Sequence, residues 1–266
     1  MSRDGAELAA VVLAAGAGTR LRPLTDARPK PLCTVGCRPL LDWALARVRP
    51  HAAEVAVNVH HHPEQMRTAL ASRGVHVSFE EPEALGTAGA LGRLRGWLAG
   101  RPVLVTNADA WYPPAGATAV ADLVVGWDGE RPRLLCVRTA GPADFGDLHY
   151  VGTAVLPWWA VRDLEPVPSG LYEVSWRALH DRGALDLVVI DLEAVDCGTP
   201  AAYLRANMAA SGGAPVVEDG ARVEGELVRS VVWAGEVVRP GERLVDAIRG
   251  AGVTLHPLDP PTEVAR

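Results

Sequence analysis

Apolar residues fall along the first two hundred positions in two alternating rhythms. Short, mostly apolar runs at 8–13, 54–59, 75–79 and 102–105 alternate with stretches at 39–48, 63–73 and 87–98, in which apolar side chains return at helical spacing. The first rhythm predicts buried strands and the second predicts helices. In alternation they predict an α/β fold, a Rossmann-like, mostly parallel sheet flanked by helices. Ligands of such sheets gather at the carboxyl ends of the strands. The middle of the chain is less regular, with strand-like runs at 122–125, 134–138 and 150–156 between Gly- and Pro-bearing turns. A helix at 171–180, a strand at 187–192 and a helix at 201–210 are expected next, the last capped by Thr199 with Pro200 at its first position. Beyond Gly212-Gly213 no helical pattern returns. Val217 and Val223 lie six apart, as do Val232, Val238 and Leu244, with Gly220, Gly225, Gly235 and Gly241 between them. A six-residue apolar period with glycine corners fits a small C-terminal β appendix of left-handed parallel β-helix type, against the alternative of an irregular β tail. The expected organisation is therefore a domain at 1–212 and a β-helix-like segment at 213–266, with 257–266 as a frayed end.

Composition narrows the partners. With 266 residues, 48% of them hydrophobic, the chain can bury a sizeable core. A net charge of −6, without a run of basic residues, gives no attraction to nucleic acid. Residues 1–7 are polar and acidic, and no apolar stretch approaches the roughly 18 to 20 residues that span a bilayer, so no membrane partner is expected and a cytoplasmic location is. Cys33, Cys37, Cys136 and Cys197 form no Cys-x-x-Cys pair and read as small buried residues. His60-His61-His62 reads as a loop, because consecutive residues at a strand end cannot all face one metal ion.

Chemistry concentrates where the first strand ends. Leu13-Ala14-Ala15-Gly16-Ala17-Gly18-Thr19-Arg20-Leu21-Arg22-Pro23-Leu24 passes from apolar to small residues and then to positive charge, and Arg28-Pro29-Lys30-Pro31-Leu32 follows. Strand, glycine loop and cations together present backbone N–H groups and positive charge to a phosphate. No Gly-Lys-Ser/Thr follows the glycines, which excludes a Walker-type ATPase. Lys30 is the only lysine, the other 25 of the 26 basic residues being arginine. A composition that uses arginine elsewhere and keeps one lysine points to a site that needs a compact ammonium. Asp109, after the strand ending near 105, stands where a carboxylate holds Mg²⁺ beside phosphates, and Asp196 stands at a similar strand end.

The segment 13–32 resembles the signature of sugar-phosphate nucleotidyltransferases, Leu-Ala-x-Gly-x-Gly-Thr-Arg-Leu-x-Pro-Leu-Thr followed by Pro-Lys-Pro-Leu. Glu81 with Leu85-Gly86-Thr87-Ala88-Gly89-Ala90, then Asn107-Ala108-Asp109, then Asp196-Cys197-Gly198-Thr199-Pro200 agree with it in order, over roughly residues 8 to 210. Within that family the motifs look most like mannose-1-phosphate guanylyltransferases and N-acetylmuramate-1-phosphate uridylyltransferases. The resemblance implies that a nucleoside triphosphate, GTP favoured, reacts with a sugar 1-phosphate to give an NDP-sugar and pyrophosphate. Carried over by position, Arg20, Lys30 and Asp109 are catalytic, and Asp109 and Asp196 hold Mg²⁺. Leu13, Ala14, Ala15, Gly16, Gly18, Thr19, Arg20, Lys30, Glu81, Gly86, Thr87 and Ala88 bind the nucleotide. A β-helical tail serves as an oligomer contact in such proteins, which implies a homo-oligomer.

One departure concerns the acceptor. The family carries a second lysine for the sugar phosphate, and this chain has none; Arg138 and His149 are the candidates in the corresponding region. Two other readings stand beside the enzyme: a non-catalytic relative that binds an NDP-sugar and regulates a partner, and a transferase for a pseudo-sugar or non-sugar phosphate.

Overall fold

The computed structural model describes residues 7–114 and 116–257, so the residues 1–6 of the polar start and 258–266 of the expected frayed end lie outside the described residues. The first half runs β1 (Ala9–Leu13), α1 (Leu24–Ala27), β2 (Thr34–Val35), β3 (Arg38–Pro39), α2 (Leu40–Val48), β4 (Glu54–Val59), α3 (Pro63–Leu70), β5 (His76–Phe79), α4 (Gly86–Leu98) and β6 (Val103–Asn107). Then come β7 (Ala110–Trp111), α5 (Gly116–Val124), β8 (Arg133–Arg138), β9 (Leu148–Leu156), α6 (Arg177–Asp181), β10 (Asp186–Val189), β11 (Val195–Asp196) and α7 (Pro200–Ser211).

Seven strands form the central sheet in the order β10-β8-β9-β6-β1-β4-β5. β5, β4, β1 and β6 are parallel, β10 is parallel to β8, and β9 is antiparallel to both of its neighbours. From β1 the chain builds outward through β4 and β5, then returns to lay β6 on the other side of β1. Connections therefore diverge at the carboxyl ends of β1 and β6, opening a crevice beside Leu13 and Asn107, which are in register. Successive residues of β1 point to opposite faces. Ala10 and Val12 pack with α2, α3 and α5, whereas Ala9 and Val11 pack with α4 and α6.

Several expectations are corrected. The strand expected at Asp122 to Val125 is the end of α5, whose Ala119, Val120 and Leu123 are buried at helical spacing. Its β-branched end imitates a strand, but the packing of a helical face decides. The helix expected from Leu171 begins as a π-helical turn, Tyr172–Trp176, before α6. Cys37 is exposed rather than buried, at the tip of the β2–β3 hairpin, where it follows Gly36 and both adopt positive φ. The cap of α7 forms as expected, Thr199 accepting from the N–H of Ala202 with Pro200 at the first position.

After Gly212 the chain coils through β12 (Val216–Val217), β13 (Arg222–Val223), β14 (Glu226–Val228), β15 (Val231–Val232), β16 (Val237–Val238), β17 (Arg243–Val245), β18 (Ile248–Gly250) and β19 (Val253–Leu255). Parallel pairs β12–β15, β13–β16, β14–β17 and β15–β18 stack one coil on the next, as in a β-helix, and β19 closes it antiparallel to β18. Val232, Val238 and Leu244 form its small core with Ala247. Val216, Val231, Trp233 and Ile248 instead pack against α7 and the 21–40 segment, so the two parts of the chain share one apolar cluster.

Helix α4 shows how closely the crevice wall is built. Gly86, Gly89 and Gly92 form one glycine face against the backbone of 165–169, where a Cβ on Gly92 would come 2.5 Å from the Glu165 carbonyl oxygen and one on Gly89 would collide with that of Val167. Gly96, on the same helix, has open space at its Cβ position. Gly89→Ala should therefore cost about 1–3 kcal/mol of unfolding free energy through overpacking. Gly96→Ala should be neutral or stabilise by about 0.5–1 kcal/mol, because it removes only the flexibility penalty. Urea denaturation of the two variants checks the contrast.

Candidate functional site

The glycine loop leaves β1 at the crevice and is held by buried polar groups. The N–H of Ala14 donates to Asn58 Oδ1 at 2.7 Å, Asn58 Nδ2 donates to Glu80 Oε1 at 2.7 Å, and Glu80 Oε2 accepts from the N–H of Leu85 at 2.8 Å. Asn58 and Glu80 are buried, so this relay ties the loop after β1 to the turn before α4 through the end of β4. The N–H of Ala108 donates to the carbonyl of Leu13, which ties in the turn after β6. Gly18 has φ 64°, and an added Cβ would lie 2.9 Å from Thr25 Cγ2 and 3.2 Å from Lys30 Cβ. Thr25 closes this turn by donating from Oγ1 to the Gly18 carbonyl at 2.8 Å. Only a residue without a side chain fits that close approach at positive φ.

Lys30 is 7% exposed and reaches both strand-end carboxylates. Its Nζ lies 2.5 Å from Asp109 Oδ2 and 3.4 Å from Asp196 Oδ1. Arg20 Nη2 approaches the other oxygen of Asp196 at 3.1 Å, on the exposed side. The two aspartates meet because β7 and β11 pair antiparallel, with Asp196 opposite Ala110, and because the N–H of Cys197 donates to the Asp109 carbonyl. Gly198 leaves room for this pair: a Cβ there would lie 2.6 Å from Arg20 Nη2 and 2.9 Å from Asp196 Oδ1 and would push these side-chain ends aside. Burial alone would lower the pKa of Lys30, but the adjacent Asp109 and Asp196 carboxylates outweigh it and hold the ammonium above the ordinary lysine value.

A cleft of about 210 Å³ opens beside this cluster, bounded by Leu13, Ala15, Gly16, Gly86, Thr87 and Asp109 together with Asn58, Ala84 and Asn107. Six of the residues singled out in the sequence thus line one cavity. Ala14 and Ala88 are buried; Lys30 meets Asp109 and Asp196, Arg20 meets Asp196, Gly18 lies against Lys30, and Thr19 is exposed. At Gly16 the Cβ direction is open, leaving room for a ligand atom. Glu81 is exposed, and the buried acid of its turn is its neighbour Glu80. Arg22 pairs with Asp26 on the surface at 3.1 Å. Arg138 pairs with Asp147, and His149 Nδ1 lies 2.8 Å from Asp144 Oδ2, so both acceptor candidates are engaged within the β8–β9 hairpin. His60 Nδ1 and His62 Nε2 each sit 2.9 Å from a backbone carbonyl oxygen, of Glu80 and Thr25 respectively.

Three contributors went unread in the sequence. Asn58 is the one polar side chain in the buried part of β4, a signal that was there to use. Glu80 is hidden beside the more conspicuous Glu81-Pro82. Arg47 sits on the apolar face of α2, fully inside, where it donates to Thr106 Oγ1 at 2.7 Å and to the Ala110 carbonyl and lies 3.9 Å from the centre of the Tyr112 ring. Burial lowers its pKa, and its coulombic interactions with Tyr112 and then Asp109 only partly offset that cost.

A model of the MobA-like NTP transferase domain matches residues 10–184. N-acetylmuramate alpha-1-phosphate uridylyltransferase of Caulobacter vibrioides is 36% identical over 156 residues, covering 55% of this chain and 64% of that protein. Mannose-1-phosphate guanyltransferase of Debaryomyces hansenii is 36% identical over 226 residues, covering 73% of this chain and 62% of that protein. The chain thus spans a little under two thirds of these relatives. A Thermus thermophilus structure described as mannose-1-phosphate geranyltransferase superposes with a TM-score of 0.71 at 19% identity over 94% of both chains, a likeness of fold.

The Lys30 cluster has a definite pH signature. A folded-state lysine pKa raised above the unfolded value stabilises fully below the unfolded pKa, and that stability is lost as pH rises through the folded pKa. Relative to Lys30→Met, the wild type should keep a constant advantage in urea midpoint from about pH 6.5 to 9.5, and lose it progressively above about 10.4, the ordinary lysine value. Paired urea titrations across that range measure it.

Proposed function

Because the chain belongs to the MobA-like NTP transferase domain family, we propose that it transfers a nucleotidyl group from a nucleoside triphosphate to a sugar 1-phosphate, releasing pyrophosphate and an NDP-sugar. The observation that carries this reading is the meeting of Lys30, Asp109 and Asp196 at the edge of a cleft whose floor is the glycine loop. The cleft takes base and ribose between the loop and the Gly86–Thr87 turn. The triphosphate then lies toward Arg20 and Lys30. An oxygen of the sugar 1-phosphate attacks the α-phosphorus, the bond from that phosphorus to the bridging oxygen of pyrophosphate breaks, and pyrophosphate departs with the electron pair. Little proton transfer is required, so the protein's work is positioning and neutralisation. Lys30 places a buried positive charge against the phosphoryl oxygens, and Arg20 covers the departing side.

The donor set at the cluster suits a divalent hard cation. Asp109 and Asp196 bring carboxylate oxygens from two chain segments to one point, and among the described residues no third acid, His or Cys completes a cage. Two carboxylates, with water and phosphate oxygens for the remaining places, are the arrangement Mg²⁺ accepts. Asp109 and Asp196 would hold it, and its chemistry would be to neutralise the phosphates and the departing pyrophosphate. GTP is the favoured donor on the breadth of the match to the guanyltransferase relative, which covers more of this chain than the uridylyltransferase match does.

A pyrophosphate-release assay of four NTPs against a panel of sugar 1-phosphates tests the reading. Activity should appear with at least one pair, GTP with a hexose 1-phosphate first, and vanish with EDTA. Lys30→Ala, Asp109→Asn and Asp196→Asn should each lower kcat by about 10²-fold or more, the scale of removing one charge-stabilising group. Silence across the panel, or unchanged turnover in Lys30→Ala, would refute the assignment.

A further inference from the structure

Lys30 sits between Pro29 and Pro31, which have no N–H to anchor the chain. Locally the segment has the bonds from Leu32 to the Pro29 carbonyl and from Cys33 to the Lys30 carbonyl, a single 3-10 turn. A turn that short does not hold a buried lysine in place by itself. Side chains on either side of it do, and they converge on one residue from the C-terminal coil.

Glu218, buried just after β12, receives both guanidinium nitrogens of Arg28, at 2.7 and 3.0 Å, and the hydroxyl of Thr34 at 2.5 Å. Arg28 precedes Lys30 and Thr34 follows it, so one carboxylate clamps both flanks of the segment. The N–H of Ala234 donates to Glu218 at 2.9 Å and fixes the carboxylate to the coil. The clamp closes into a ring through the neighbours Trp233 and Ala234: Ala234 holds the carboxylate, the Trp233 ring lies 4.0 Å from the Arg28 guanidinium, and Tyr203 accepts from Trp233 Nε1 at 3.0 Å. Asn207 of α7 adds a further tie, accepting from the N–H of Gly36 and donating to the Thr34 carbonyl.

We propose that Glu218 is a positioning residue for Lys30, and that through it the C-terminal β-helix is part of the machinery of the site. Its structural half stands on the ring of contacts alone; its catalytic half rests on the proposed nucleotidyl transfer. Among the described residues Glu218 has no hydrogen bond to the cleft lining or to Lys30, so it acts by where it puts the 28–34 segment.

The test uses the full chain carrying Glu218→Gln, Thr34→Val or Thr34→Ser, with Glu226→Gln as a control for a surface ion pair of the same coil. Hydrogen exchange by mass spectrometry reads the amides of Leu32 and Cys33 against those of β1, and pyrophosphate release reads kcat and KM. Glu218→Gln and Thr34→Val should exchange at least about tenfold faster at 32–33 with β1 unchanged, the scale expected when a charge-assisted bond is lost. Their kcat should fall at least about tenfold with the NTP KM within about threefold, a loss confined to the transition state. Thr34→Ser, which keeps the hydroxyl, should resemble the wild type, as should Glu226→Gln. Unchanged exchange at 32–33 in folded Glu218→Gln, or loss of β1 protection in step with 32–33, overturns the proposal. Should Glu218→Gln fail to fold, Thr34→Val decides on the same readings. A wild type without turnover on any pair defeats the proposed function, while the exchange measurement still decides whether Glu218 places the Lys30 segment.

Discussion

Two carboxylates and one ammonium set the terms of this structure. Asp109 and Asp196 come from strand ends 87 positions apart in the chain, and bringing them together sets like charges against each other. At an effective dielectric near 20, unit charges about 4 Å apart interact by about 4 kcal/mol, so a shared counter-charge is a structural requirement of such an arrangement. Lys30 meets it from inside and Arg20 from the solvent side. The β7–β11 pairing, the glycines at 18 and 198 and the 28–34 segment can all be understood as ways to let these four side chains meet. In the proposed reaction, a polyphosphate arriving with a divalent cation would offer Lys30 and Arg20 new anionic partners and the aspartates a new cation.

The surroundings use buried acids in two different ways. Glu80 has no cation among its described hydrogen-bond partners and is held by neutral donors, Asn58 and the Leu85 amide, so it fastens loops without bringing positive charge to the cleft. Glu218 pairs with a guanidinium, and the several bonds it accepts hold its carboxyl below the ordinary range despite burial. A buried ion pair by itself is weak evidence for stability, because desolvation offsets attraction. What this one offers is specificity of placement, since a bidentate fork and a hydroxyl on one carboxylate leave the intervening turn little choice of position.

Much of the fold was legible because it rests on local periodicity. The strands at 9–13, 54–59 and 103–107 and the helices α2, α3 and α4 follow from alternating rhythms, and the inward residues of the second β-helix coil, Val232, Val238 and Leu244, follow from their six-residue spacing. Much of the charged cluster was also legible, because glycine loop, sole lysine and strand-end aspartates each carry a local reason. What escaped depends on distant partners. The β7–β11 pairing joins two-residue strands, too short to leave a pattern. α5 ends in β-branched residues, and only its packing shows it to be helical. Glu80, Arg47 and Glu218 look like ordinary surface residues until the fold closes over them, since burial of a charge is decided by partners that the sequence places up to 190 positions away.

The survival of a single lysine among twenty-five arginines has a counterpart in the structure. Lys30 is buried, its Cβ packs beside Gly18, and two carboxylates from distant chain segments approach its one nitrogen. A guanidinium would spread its charge and its five donors over a larger planar fork, as Arg28 does on Glu218, whereas Asp109 and Asp196 here converge on one nitrogen. A tetrahedral ammonium with three donors can serve both and still direct one N–H toward the cleft. The arginine at 28 and the lysine at 30 therefore divide two tasks in adjacent space: the fork fixes the backbone, and the point charge it positions remains free to exchange partners.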